Sequence, residues 1–92
     1  MRALKLGSFP EVIDFEKDIR LTEKLIGCEE GCVQSVSLSD DAILLHGIDA
    51  ERRGRQRNDI ASLIARKNVY GTALVIGDGE DDVPDAYLVY LS

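Results

Sequence analysis

Between Cys32 and Leu38 polar and apolar side chains alternate, Ser39-Asp40-Asp41 supplies turn chemistry, and Ala42 to Ile48 resumes apolar character. The alternation puts Cys32, Gln34, Val36 and Leu38 on one face and Val33, Ser35 and Ser37 on the other, which is the period of a strand. A β-hairpin in the middle of the chain follows, and the remaining segments have to complete a sheet around it.

The opening Arg2-Ala3-Leu4-Lys5-Leu6 has the same two-residue period and is broken by Gly7-Ser8-Phe9-Pro10, so it reads as a first strand. The stretch after Pro10, with Val12, Ile13 and Phe15, fits either a short strand or the approach to a helix. Residues 18–26 form the first expected helix: Ile19, Leu21, Leu25 and Ile26 approximate helical spacing, Asp18 caps the start, and Gly27 suits a left-handed stop. Asp49 to Arg57 has no apolar run and reads as a loop or exposed strand end. Asn58 is an expected N-cap for a second helix with Ile60, Ala61, Leu63 and Ile64 on one face, Arg66 and Lys67 at its negative end, and Asn68 to close it.

Tyr70 to Ile76 and Ala86 to Leu91 are apolar on successive residues and read as a second hairpin joined by the acidic loop 77–85. Strands of that kind are buried on both faces, or covered on one by a partner. The expected order is β-α-β-β-α-β-β in an α+β class. A mixed or antiparallel sheet with both helices on one face is the simplest way to bury these stripes. At 92 residues the chain has material for one core, so residues 1–92 are expected to be a single domain.

Of the net charge of −6, residues 52–67 carry +5, six cations against Asp59, and the rest of the chain −11. The acidic total disfavours broad contact with nucleic acid or an anionic membrane. No apolar run approaches the ~20 residues that span a bilayer, and no signal peptide is visible at the N-terminus. A cytoplasmic protein without membrane contact is the expectation.

An N-terminal strand, a helix ending in Leu25-Ile26-Gly27, the alternating strand Cys32 to Leu38, Arg57-Asn58 opening a helix, and Tyr70-Gly71-Thr72-Ala73-Leu74-Val75-Ile76-Gly77 together form a pattern covering nearly the whole chain. It resembles the uncharacterised bacterial and phage family called domain of unknown function 3846. The Gly-Gly pair that often follows the family's first helix reads Gly27-Cys28 here. The resemblance implies no catalytic residue, cofactor or substrate; it points to an accessory protein of a phage or mobile element.

Arg52, Arg53, Arg55 and Arg57, with Asn58, are the candidate ligand-binding residues: guanidinium forks beside a helix start could hold a phosphate, a nucleotide or a nucleic-acid backbone. The plainer alternative pairs them with neighbouring acids. Cys28 and Cys32 could offer two soft ligands, but a closed zinc site needs four, and carboxylates or a second chain would have to complete it; free thiols are therefore expected, with no metal and no cofactor. His46, the single histidine, has no partner in the sequence that would make it a general base. Asp78-Gly79-Glu80-Asp81-Asp82 lacks calcium-loop spacing and reads as a solvated loop. Tyr70, Tyr87 and Tyr90 are expected on strands, packing across the sheet. The leading expectation is a non-catalytic module contacting a protein partner or a second copy, through a strand edge or the C-terminal hairpin; phosphate binding by the arginine loop is the alternative.

Overall fold

A computed structural model describes residues 1–79 and 81–91. Its centre is one five-stranded sheet in the order β2-β1-β5-β4-β3, with every neighbouring pair antiparallel. Strands β1 (Arg2–Leu6) and β2 (Pro10–Asp14) form a hairpin closed by Gly7-Ser8-Phe9, with Leu6 opposite Pro10. The segment after Pro10 is thus an edge strand. Proline is tolerated at its first position because an edge strand can forgo one donor.

Helix α1 (Ile19–Ile26) begins at Asp18, whose carboxylate accepts from the amides of Arg20 and Leu21 at 2.8 and 3.1 Å, and ends at Gly27 with φ 78°. Strands β3 (Val33–Ser39) and β4 (Ala42–Gly47) are the expected central hairpin, with a bulge between Ser37 and Ser39. Helix α2 (Asp59–Ala65) starts at Asn58, whose side-chain oxygen accepts from the Ala61 amide at 3.0 Å. It stops at Arg66, which adopts the left-handed φ of 58°, two residues before the expected Asn68. Strand β5 (Ala73–Gly77) follows, buried along its whole length.

The structure corrects two expectations. Residues 86–91 are not a strand: Asp85–Leu91 is a 3-10 helix. Strand β5 already has β1 on one side and β4 on the other, so no edge remains to which a hairpin partner could pair. The chain instead leaves Gly77 and turns back over β1, where the Val83 amide donates to Arg2 O at 2.9 Å and Asp82 Oδ1 accepts from the Arg2 amide at 2.7 Å. A side chain at Gly77 would run into the carbonyls of Asp81 and Asp82, so this return requires glycine there.

The helices also do not share a face. Leu4, Leu6, Leu44, Ala73 and Val75 point to one side, where Ala61 of α2, Val69 and Val83 cover them with Tyr87 and Leu88 of the 3-10 helix. Ala3, Leu74 and Ile76 point to the other, beneath Phe15 and Ile26 of α1. Successive apolar residues in β5 demand cover on both sides, and the chain itself supplies it. No helix among the described residues is long and apolar enough to cross a membrane.

Candidate functional site

The arginine segment folds as tight turns after β4: the amides of Arg53, Gly54 and Arg55 donate to the carbonyls of Asp49, Glu51 and Ala50, each at 3.0 Å. Its side chains separate into two groups. Arg53 Nη1 donates to Gly27 O at 2.7 Å and Arg55 Nη2 to the same carbonyl at 3.2 Å, so both satisfy the C-terminal end of α1. Arg52 lies 3.7 Å from Glu29. Arg57 donates to Asn68 Oδ1 at 3.1 Å and to Asp59 Oδ1 at 2.7 Å. Asn58 donates to Leu6 O and Gly71 O at 2.8 and 2.9 Å while capping α2, which pins that helix to the sheet and leaves its amide no free donor.

Arg55 and Arg57 both border an open cavity of about 520 Å³ with Ser8 and Thr72, but Asp59 lines it too and is already paired with Arg57. Arg53 and Arg55 thus meet the Gly27 carbonyl, Arg52 and Arg57 lie beside acids, and Asn58 ties α2 to the sheet.

His46 and Cys28 lie on opposite sides of the sheet. His46 shares the face of Leu44, whereas Cys28 packs with Phe15 and Ile26. The imidazole is 5% exposed, its Nε2 has no partner, and burial followed by the charge of Lys67 holds its pKa below the ordinary 6.5, against an opposing hydrogen bond with the Gly47 backbone. It borders a cavity of about 210 Å³ with Glu51, Lys67 and Tyr70. Burial and a hydrogen bond to Glu51 push the Tyr70 hydroxyl up, so it stays protonated at neutral pH. The Cys28 thiol is raised by burial and then by the charges of Asp49 and Glu23, so it too is protonated at neutral pH.

In the acidic loop, Asp82 is tied to Arg2, Asp78 caps the Gly79 amide at 2.9 Å, and Lys17 donates to Gly79 O. Glu80 lies outside the described residues. Among the described residues these carboxylates do not gather around a common point.

What the structure does assemble is a groove of about 750 Å³ beside β3, where Leu38, Leu63 and Ile64 lie among Ser37, Arg66, Tyr87 and Tyr90. Tyr87 and Tyr90 reach it from the 3-10 helix, not from a strand, and the Tyr87 hydroxyl shares a hydrogen bond with Ser39 Oγ at 3.1 Å. Leu63, expected to be buried, is 68% exposed. The buried arc of α2 includes Ser62, whose hydroxyl accepts from the Val69 amide at 2.8 Å and donates to its carbonyl at 3.2 Å, and this rotates Leu63 outward. Ser62, a residue without a place in the apolar pattern, thus sits on the buried side of the helix.

The groove adjoins an open edge. Strand β3 bonds only to β4 in the sheet, and its sequence Val33-Gln34-Ser35-Val36-Ser37-Leu38-Ser39 holds no charge and no proline. On the groove side β3 presents Val36 and Leu38; on the reverse, Ser35 and Ser37 face a polar depression with Asp40 and Asp78. Comparison with protein-family models, curated proteins and solved structures finds no match for the chain.

Proposed function

We propose that the protein is a non-catalytic binding module that takes up an extended segment of a partner protein as a sixth strand on β3. The observation that carries this reading is an uncharged, proline-free strand edge lying directly beside a groove that offers Leu38, Leu63 and Ile64 between Ser37, Arg66 and two tyrosines. An open row of backbone donors and acceptors supplies affinity, and flanking pockets read alternate side chains. The two faces of the edge define the occupant. Residues facing Leu38, Leu63 and Tyr90 should be apolar, and those between them, facing Asp40 and Asp78, should be basic. The chain's net charge of −6 also favours a basic partner. The resemblance noted in the sequence supports placing such a module among accessory proteins of phages or mobile elements.

Titrating isotopically labelled protein with a short peptide of alternating valine and lysine tests this. Shift changes concentrated in β3, Leu63, Tyr87 and Tyr90, with slowed exchange of β3 amides, are expected. Equal response to a block peptide of the same composition would reduce the interaction to bulk electrostatics and overturn the reading. A β3-mediated dimer without peptide would overturn it in favour of a second copy.

A second reading, a phosphate held by Arg55 and Arg57, has the 520 Å³ cavity in its favour. Nucleotide affinity that falls with rising salt and is lost in Arg55→Ala supports it; no binding at low salt retires it.

A further inference from the structure

The turn that joins α1 to β3 carries two cysteines and is tied to the end of β4 by backbone bonds. The Cys28 amide donates to Glu23 O and the Cys32 amide to Glu29 O, each at 3.1 Å, and the Ile48 amide donates to Cys32 O at 2.8 Å. The Glu29 amide donates to Asp49 Oδ2 at 3.1 Å. As a result the Glu29 carboxylate, the Cys32 sulfur and the Asp49 carboxylate lie within 4.8 Å of one another.

Asp49 is the unusual member. Its side chain is 2% exposed. Oδ2 is held by the Glu29 amide and by Arg53 at 3.3 Å, but Oδ1 is buried with no hydrogen-bond partner. An orphaned buried oxygen is unfavourable and calls for a physical reason, a bound ion among them. Gly47 lies between Oδ1 and Cys28: a Cβ on that glycine would sit 2.8 Å from Cys28 Cβ and 3.1 Å from Oδ1, so only glycine leaves room for both.

We propose that Cys28, Cys32, Glu29 and Asp49 Oδ1 form a four-ligand site for a borderline-soft divalent cation of the zinc class. Two sulfurs and two carboxylate oxygens are a donor set such an ion accepts, with ligand atoms about 3.3–3.8 Å apart in a tetrahedron. Glu29, Cys32 and Asp49 already lie within 4.8 Å of one another, and Cys28, outside that cluster, has to turn its thiol toward them to complete the set. Binding releases the two thiol protons to solvent. The four anionic ligands then stand against Arg52 and Arg53, a surplus of two negative charges that the cation neutralises. Arg53 holds Oδ2 and leaves Oδ1 available. The exposed Arg52–Glu29 pair at 3.7 Å is weak and yields. The site shares no residue with the β3 groove.

Adding Co2+ to the reduced protein should produce sulfur-to-cobalt charge-transfer absorption and the visible bands of tetrahedral cobalt, both displaced by Zn2+. Asp49→Asn should weaken affinity about tenfold or more, and Cys28→Ser should cut the charge-transfer intensity by about half. In the unaltered protein, Zn2+ should also protect both thiols from alkylation, a readout that needs no variant to fold. Absence of thiolate–cobalt absorption at equimolar metal, alkylation unaffected by Zn2+, or bands unchanged in Asp49→Asn and Glu29→Gln would each overturn the site. None of these results bears on peptide binding at β3.

Discussion

Strand β2, at one margin of the sheet, reads Pro10-Glu11-Val12-Ile13-Asp14, whereas β3, at the other, reads Val33-Gln34-Ser35-Val36-Ser37-Leu38-Ser39. Proline and acidic side chains are devices that keep an edge from recruiting a further strand. Strand β2 has both and β3 has neither, although β3 is the longer. The bulge between Ser37 and Ser39 is the one irregularity that interrupts the ladder of β3. An open, uncharged edge with exposed Leu63 at its side is a liability if left bare, and the asymmetry is understandable if β3 is meant to be covered.

That contrast requires both margins to hang on one continuous sheet. Leu44 in β4 and Leu4 in β1 have no exposure and sit next to the open and the guarded edge respectively. Leu44→Ala and Leu4→Ala should each lower unfolding stability by about 2–5 kcal/mol in a denaturant titration. Two separate transitions, one per variant, would show that the edges are carried by independent units and would remove the basis for comparing them.

Leu63→Glu acts on the open side alone. Leu63 is exposed, so stability should change by less than about 0.5 kcal/mol, whereas affinity for the valine–lysine peptide should fall about 10–100-fold if the groove receives an apolar anchor. Calorimetric titration of both proteins measures it. Undiminished affinity would place the peptide elsewhere.

A smaller effect, with a sign that can be inverted, is expected at Ser37. Its side chain lies on the polar face of β3, where the incoming strand should carry lysines. Ser37→Lys sets like charges opposite one another and should weaken the peptide by about 0.2–1 kcal/mol; Ser37→Glu should strengthen it by a similar amount. Equal shifts from both substitutions would mean that the peptide does not read this face.

The central hairpin and both helix starts are legible in the sequence because their chemistry is local, whereas the segment after Pro10 fits two readings until β1 is there to pair with it. Asp18 and Asn58 meet amides two or three residues onward, and the turn at Ser39-Asp40-Asp41 needs only its own residues. The fate of Ala86 to Leu91 is not local. Those residues are apolar enough for a strand, and only the presence of β1 and β4 on both sides of β5 denies them a place. The rotation of α2 is likewise set by the bond of Ser62 to Val69, so Leu63 could not be read as outward from spacing alone. The arginines stand out in composition yet serve mostly as caps for Gly27 and partners for Asp59, whereas Asp49, twenty residues from Glu29 in the chain, is inconspicuous until the fold brings the two together.

Acid gives a last way to separate the two margins, because the single histidine lies on the open side. His46 in β4 pairs with Gln34 of β3, and burial first and Lys67 second keep its ring neutral in the folded protein, with its pKa below 6.5. Glu51 and Tyr70 border the same cavity; Tyr70 is uncharged there, and the carboxylate of Glu51 is engaged by its hydroxyl. The unfolded chain takes up the histidine proton near 6.5, but the folded chain takes it up only at lower pH. The contribution to stability is therefore complete above 6.5 and is lost as pH falls from 6.5 toward the depressed folded value, at about 1.4 kcal/mol for each unit of separation. Asp49 acts lower. Burial alone would raise its pKa, but the amides of Glu29 and of Asp49 itself, together with Arg53, leave it below 3.8, so its share is lost only as pH falls beneath that value. Between about pH 7 and 5, amide protection factors, corrected for intrinsic exchange, should therefore fall in β3 and β4 before β1 and β2, and His46→Asn should flatten the dependence. Protection that falls first in β2, or a slope unchanged in His46→Asn, would show that protonation of this ring does not loosen the open margin.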